Sequence, residues 1–232
     1  MLVLGLTGSI GMGKSETSKM FRRLGVPVFD ADAAVHALMA PGGAAVAAVE
    51  EAFAGVRAED GGIDRVALGA RVFGQPGELR RLERILHPRV RRMQQQFLAR
   101  ATRQRLPLVV LDIPLLFEGP GEERCDVTAV VSAPPFVQRQ RVLARPNMTV
   151  EKFEHIKRQQ VPDVLKRQRA DVVIPTGLGK HVTLRHVSGL VRRLRGRRGS
   201  TWPPRARPNR RAADHPSRRP MHRRYRNARN RV

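Results

Sequence analysis

Gly8-Ser9-Ile10-Gly11-Met12-Gly13-Lys14-Ser15 has the spacing G-x-x-x-x-G-K-S, a glycine-rich loop closed by a lysine and a hydroxyl. Such a loop takes a phosphate chain: its backbone N–H groups wrap the phosphates, and the helix that follows turns its positive end toward them. Lys14 then reaches the β- and γ-phosphates, and the Ser15 hydroxyl is placed to hold Mg²⁺. A second group that can do chemistry is Asp30-Ala31-Asp32. A carboxylate beside a phosphate loop can take the proton from an attacking hydroxyl as a phosphoryl group departs. Extended backbone would put Asp30 and Asp32 on one side, so one serves catalysis while the other caps the next helix, or both simply cap it. Asp112, at the end of an apolar run, fits either a carboxylate holding Mg²⁺ through water or a helix cap.

The elements that must position these groups are legible in the periodicity. Met1 to Leu6 is an apolar strand feeding the loop, and a helix with few β-branched residues follows from Lys14 to Phe21. Val26 to Asp30 is a second strand that delivers the Asp-Ala-Asp group to its C-terminal end, where ligands bind in open parallel sheets. Helices are expected over 33–39, 44–53 and 65–73, with a stop at Pro41-Gly42-Gly43 and a turn at Asp60-Gly61-Gly62. Residues 78–105 form one long helical region, in which Pro88, after His87, is expected to cause a break or kink. Leu108 to Asp112 and Val127 to Val131 are buried strands, and Pro114 makes the residues after Asp112 a loop. A helix opens at Pro134-Pro135, a second runs over 149–160 with Thr149 as N-cap, and a last strand at 172–174 precedes a closing helix over 182–194. Apolar strands alternating with helices make an α/β protein whose parallel sheet is covered on both faces.

The net charge of +24 is unevenly distributed. From Arg192 onward sixteen arginines face one acid, Asp214, so +15 falls there and +9 on everything before. That tail holds the only Trp and the only Tyr, has no hydrophobic period, and is read as disordered from 196 to 232. An inert extension or an out-of-frame read-through ranks ahead of an arm that binds nucleic acid nonspecifically. The core offers no aromatic platform beyond Phe for stacking single strands, which weakens a nucleic-acid reading further. A single cysteine, Cys125, excludes an internal disulfide, and no segment is long and apolar enough to span a bilayer, so a cytoplasmic protein without membrane contact is expected.

A GTPase would need an Asn-Lys-x-Asp base-reading motif, which is missing, and no mechanical or membrane part suggests an energy-transducing ATPase. Arginines at 139, 141, 145, 158, 167 and 169 lie on helical segments around a hinge at Pro146-Asn147. They suit a mobile lid that closes on a transferring phosphoryl group, which points to a small-molecule kinase.

From Met1 to about Leu194 the chain resembles the dephospho-CoA kinases. The resemblance rests on Gly5 to Ser15, Leu24-Gly25 through Asp32, Asp64-Arg65, Val72-Phe73, Leu82-Glu83 with His87-Pro88, Pro114 to Glu118, Gln138 to Arg145, and Gln159 with Arg169-Ala170-Asp171. It implies ATP and Mg²⁺ as cofactors and dephospho-CoA as the small-molecule partner, phosphorylated on its ribose 3′-hydroxyl; a monomer is the expected state. It implies a three-layer, adenylate-kinase-like phosphate-loop fold: a core of 1–32, 106–135 and 170–195, a helical acceptor-binding insertion at 33–105, and a lid at 136–169. By the same resemblance Asp32 is the base, Thr7 lies beside the substrate, and Gly11, Met12, Gly13, Lys14, Ser15 and Glu16 wrap the ATP phosphates. Arg141 and Arg145 become lid arginines, while His87, Pro114, Leu115 and Glu118 line the acceptor pocket. Two positions depart from the family pattern: Glu16 stands where a second hydroxyl is usual, and Pro175-Thr176 where an Asn is. Another nucleoside or nucleotide kinase of the same architecture is the alternative reading, and a basic nucleic-acid binder with the loop as an NTP switch is the alternative from another class.

Overall fold

Six successive residues with no surface to spare, Leu2–Thr7, form strand β1, buried along its whole length in the computed structural model, which describes residues 1–119 and 121–203. A strand buried on both faces must be central. β1 pairs in parallel with β3 (Leu108–Asp112) on one side and β4 (Val127–Ser132) on the other. β2 (Val28–Asp30) and β5 (Val172–Pro175) complete the order β2-β3-β1-β4-β5, all parallel. The register sets Leu6 beside Asp112 and Asp30 beside Asp112, so the phosphate loop and both carboxylate-bearing strand ends emerge at one edge.

The period-two alternation of β1 divides the core. Leu2, Leu4 and Leu6 face α1 (Lys14–Arg23) and α9 (Lys180–Arg195), packing with Phe21, Val187 and Leu190. Val3, Val109 and Leu111 face the other way, onto Leu98 and Ala101 of α5 (Pro76–Arg103). A separate apolar cluster joins α2 (Ala31–Met39), α3 (Val46–Ala52), α4 (Arg65–Val72) and the first half of α5 through Leu38, Val49, Phe53, Leu68, Leu82 and Leu86. Three further helices follow β4: α6 (Pro135–Leu143), α7 (Val150–Gln159) and α8 (Asp163–Arg169). Between α6 and α7 the chain reverses at Asn147, whose φ of 58° is left-handed, and the Thr149 hydroxyl caps α7 by accepting from Lys152 N–H.

Three expectations need correction. Pro88 does not break its helix: α5 is one element of 28 residues with the proline inside it. His87 and Pro88 are exposed, so water can satisfy the carbonyl that loses its donor. Apolar anchoring on both sides, Leu82 and Leu86 in the cluster with α2, α3 and α4 and Leu98 on the sheet, offsets a cost of about 3 kcal/mol. The helix after β2 starts at Ala31 rather than 33, so Asp30 and Asp32 are not on one extended segment. Asp30 Oδ1 accepts from Ala33 N–H as the N-cap, and Asp32 stands in the first turn.

Last, residues 199–202 are attached rather than free. Asp126 receives the backbone N–H groups and hydroxyls of both Ser200 and Thr201, while its other oxygen accepts from Val3 N–H on the central strand. A Cβ on Gly199 would come within 2.3 Å of Met1 O, so only glycine passes there. Trp202 packs on the sheet cluster and donates to Thr102 Oγ1. The remainder of the expected tail, 204–232, lies outside the described residues. Among the described residues no helix is long and apolar enough to cross a membrane.

Asp126 generates a stability prediction. Burial raises its pKa, but the converging donors from Val3, Ser200 and Thr201 win and leave it lowered. A lowered carboxylate contributes stability above its unfolded value, near pH 4, and that contribution fades as pH falls through the folded value. Asp126→Ala should cost about 1–3 kcal/mol in urea unfolding at pH 7, since Val3 N–H is left without a partner. The difference from the unsubstituted protein should shrink toward pH 3.

Candidate active site

The loop 8–15 is shaped by conformations other residues resist. Gly11 and Gly13 have φ of 76° and 92°, and a Cβ on Gly11 would meet Val142 Cγ2 at 2.5 Å. Gly13 precedes α1, so the helix begins directly at Lys14 with its amides turned to the loop. The cleft over this loop has a volume of about 500 Å³. Lys14, Ser15, Asp32, Pro114, Arg145 and Gln160 all line it.

Lys14 is the centre of the charge arrangement. Its Nζ lies 2.5 Å from Asp112 Oδ1 and 3.9 Å from Asp32 Oδ2. Asp112 is almost wholly buried, and its second oxygen accepts from Ser18 Oγ at 2.5 Å. Ser18 is four residues beyond Lys14, so α1 presents both donors to the end of β3 from one face. Burial pushes the Asp112 carboxyl above the usual carboxylate range, against the pull of Lys14 and Ser18. Asp32, by contrast, is 66 % exposed and lines the cleft. The two carboxylates therefore divide the work: one fixes the lysine, the other faces the cleft.

Glu16 is compensated. Its carboxylate pairs with Lys19 at 2.7 Å and with Lys180, in the first turn of α9, at 3.0 Å, and hydrogen bonds from these two lysines pull its pKa down to about 2. Thr176 ties the loop after β5 to the phosphate loop: its hydroxyl donates to Met12 O at 2.6 Å. Arg141, on α6, donates to Thr176 O at 2.7 Å, while Arg145 is exposed in the cleft.

The chain from residue 2 to 178 matches the family model of dephospho-CoA kinase. The chain belongs to the dephospho-CoA kinase family. A dephospho-CoA kinase of Paramagnetospirillum magneticum is 61 % identical over 198 residues, covering 85 % of this chain and 93 % of that protein. One of Rhodospirillum rubrum is 55 % identical over 205 residues, covering 85 % and 97 %. Among solved structures, TT1252 from Thermus thermophilus superposes with a TM-score of 0.73 at 35 % identity, over 83 % of this chain and 97 % of that one. The dephospho-CoA kinase of Campylobacter jejuni, at 19 % identity and a TM-score of 0.58 over 83 % and 96 %, shares the fold. The parallel-sheet phosphate-loop kinase architecture read from the sequence is thereby established.

Not every family-implied residue reaches the cleft. Thr7 is fully buried and donates to Pro114 O at 2.9 Å, so it positions the 114–118 loop. Glu118 does not line the phosphate-loop cleft. Its Oε1 is 2.8 Å from the buried Lys166 Nζ and accepts from Val161 N–H, so its partner is a lysine of α8. Leu115 is about half exposed, outside the cleft lining. His87 lies on the outer face of α5, in a groove of about 1040 Å³ with Arg80, Arg84 and Arg91. The sequence reading missed Ser18, Gln160 and, except as a departure, Thr176. Only Ser18 had a signal, its i+4 spacing from Lys14; the other two are brought in by tertiary contact.

Removing Lys14 tests the division of labour. Lys14→Met should abolish nucleotide binding and also destabilise the fold by about 3 kcal/mol at pH 7.5, because Asp112 becomes a buried carboxylate without a counter-charge. Its folded pKa then lies further above the unfolded value, so the folded state binds the extra proton and the variant should regain stability as pH falls toward 5.5. Urea unfolding at the two pH values measures this.

Proposed function

We propose that the chain transfers the γ-phosphoryl group of ATP to the 3′-hydroxyl of dephospho-CoA, giving coenzyme A and ADP. The observation that carries the reading is the pairing of a fixed Lys14 with an exposed Asp32 3.9 Å away at the mouth of the loop. Asp32 takes the 3′-hydroxyl proton as that oxygen forms its bond to the γ-phosphorus, and the bond from phosphorus to the β–γ bridging oxygen breaks, releasing ADP. Lys14 spans the β- and γ-phosphates, and the amides of 11–16 hold the chain in line. Arg141, braced on Thr176, and Arg145 neutralise charge from the lid side. A site built this way works by positioning and electrostatics, since phosphoryl transfer asks for little covalent chemistry from the protein.

Mg²⁺ suits the residues present. It keeps most of its water and needs only one or two protein oxygens beside the phosphates. The exposed Ser15 hydroxyl is open to one such contact, while Asp112, whose oxygens are taken by Lys14 and Ser18, would act on the ion only through water, and among the described residues no group of three or more acidic, His or Cys side chains gathers that would hold a metal alone. An ion held there would add neutralisation of the phosphate charge. The basic groove around His87, Arg84 and Arg91 suits the diphosphate of the acceptor, a role in which His87 lines the acceptor path as the family resemblance implies. The 114–118 loop contributes through Pro114, which lines the cleft, with Thr7 fixing its backbone. We read the working unit as one cytoplasmic chain with two small-molecule substrates.

ADP release measured with Mg-ATP should require dephospho-CoA and not be supported by AMP or adenosine. Asp32→Asn, with its side chain exposed and its fold therefore intact, should lower kcat by about 10²–10⁴-fold with little change in ATP affinity. Turnover on AMP or adenosine instead would leave a kinase of different specificity, and the same rate in the variant would remove Asp32 from the chemistry.

A further inference from the structure

Ile10, near the crest of the phosphate loop, is held on both sides of its backbone by glutamine amides. Its N–H donates to Gln160 Oε1 at 3.0 Å, and its carbonyl accepts from Gln138 Nε2 at 2.8 Å. Gln138 belongs to α6 and is buried. Gln160 is the residue that ends α7 and lines the cleft with Lys14, Asp32 and Arg145.

Gln160 is at the root of the lid, yet the chain just beyond it is fixed to the core. Val161 N–H donates to Glu118 Oε1 at 3.1 Å. Asp163 Oδ2 accepts from Ser132 Oγ at 2.7 Å, at the end of β4. Lys166 is fully buried with its Nζ 2.8 Å from Glu118 Oε1, although neither that Nζ nor Glu118 Oε2 completes a hydrogen bond of good geometry. Removing either charge would strand the other, so the segment is held in one place. The position of Gln160 is thus set by the core, as a residue that touches a transition state must be.

The orientation of its amide follows. A carboxamide has one accepting and one donating end. The N–H of Ile10 is a donor, so it takes the oxygen and leaves the NH₂ group without an acceptor among the described residues, on a side chain that lines both the phosphate-loop cleft and the adjoining groove with Ser9 and Asp163. The backbone amides of Lys14 and Ser15 open α1 and suit the inner phosphates at the helix N-terminus, while the Lys14 side chain reaches outward to the γ-phosphate, so the opposite limb of the loop, Ser9 to Gly11, is the one left to face the outermost phosphate. Gln160 is bonded to that limb.

We propose that Gln160 is a further catalytic residue, whose Nε2 donates a hydrogen bond to the γ-phosphoryl group during transfer, with Ile10 N–H holding the amide in register. The inference rests on the kinase reading above. No proton moves: the amide is a fixed neutral donor to the oxygens that share the negative charge of the transferring group. It adds to Lys14 and the arginines a contact that needs no lid movement, since the lid root is already docked.

Two substitutions separate anchoring from donation. Gln160→Glu keeps an acceptor for Ile10 N–H but has no NH₂ group and adds charge; Gln160→Met keeps the length and loses both. Both should lower kcat by about 10²-fold, the loss typical of one donor to a developing anion, with the glutamate variant the slower. Binding is read with ADP and with the β,γ-imido analogue of ATP. ADP affinity should stay within about two- to threefold, while the imido analogue, which carries the third phosphate, weakens by about tenfold or more, most in the glutamate variant. A kcat within twofold of the unsubstituted protein in Gln160→Met overturns the proposal. So does equal weakening of ADP and the imido analogue, which would mean that Gln160 only shapes the loop. If the unsubstituted protein fails to turn over dephospho-CoA, the substrate assignment has failed, and the difference between the two nucleotides alone decides the role of Gln160.

Discussion

The ion pair between Lys14 and Asp112 is the constraint on which the site depends. Lys14 must be charged and extended toward a phosphate chain, yet it begins a helix packed on a buried sheet. A free ammonium there would find its best partner in water and swing outward. Asp112 prevents this by sitting at the end of β3 one strand away, buried, with Ser18 on its other oxygen. The carboxylate is costly to bury, and its desolvation is offset by those two donors together with its place beside the loop. The pair therefore costs stability that an apolar contact would not, and what it gives in return is a lysine already aimed. Incoming phosphates then compete with Asp112 for a cation held in place instead of recruiting one from solvent.

Sheet order makes that pairing available. With β1 central and β3 beside it, the loop that follows β1 and the acid that ends β3 meet without any long side chain having to reach. β2 lies next to β3, which brings Asp30 and Asp32 to the same edge. Asp30 is used up as a cap, and that fixes the first turn of α2 and hence the direction of Asp32. One strand order thus supplies three acids in three settings: a brace, a cap and an exposed carboxylate at the cleft. A strand exchanged with its neighbour would move one of them about 5 Å away and break the arrangement.

Much of this was legible in the residues. The spacing of Gly8 to Ser15 after an apolar strand dictates its conformation, because only glycine accepts φ of 76° and 92° where Gly11 and Gly13 stand. Apolar runs without alternation gave the parallel strands. Asp30 and Asp32 were read as one catalytic and one capping residue, or as two caps, on an extended backbone that helix propensity from Ala31 onward overrode. Pro88 misled because a local rule was applied to a helix whose two halves are each held by a separate core. Strand order could not be read because parallel pairings leave no periodic signature of which strands are neighbours, and Gln160 on Ile10 and Thr176 on Met12 join residues 150 and 164 positions apart. Ser200 and Thr201 were hidden by the composition around them: an arginine-rich stretch reads as solvated until a half-buried carboxylate is found to receive its backbone.

Glu16 shows how a departure from a family pattern is absorbed. A carboxylate in the first turn of α1 is favoured by the helix dipole but stands close to the phosphates the same turn must hold. Lys19 and Lys180 contact it at 2.7 and 3.0 Å, so the three side chains together carry one positive charge. Lys180 comes from the start of α9, where a cation is poorly placed with respect to that helix's own dipole. The contact with Glu16 is what makes the position tolerable. Each charge is ill-suited to one neighbour and corrected by the other, which means that neither can be replaced alone without exposing the remaining misfit. The exposed side chains keep the energetic worth of each pair small, on the order of 1 kcal/mol or less. The field at the phosphate loop is the larger consequence: the local charge remains favourable to a polyanion despite the acid in its midst.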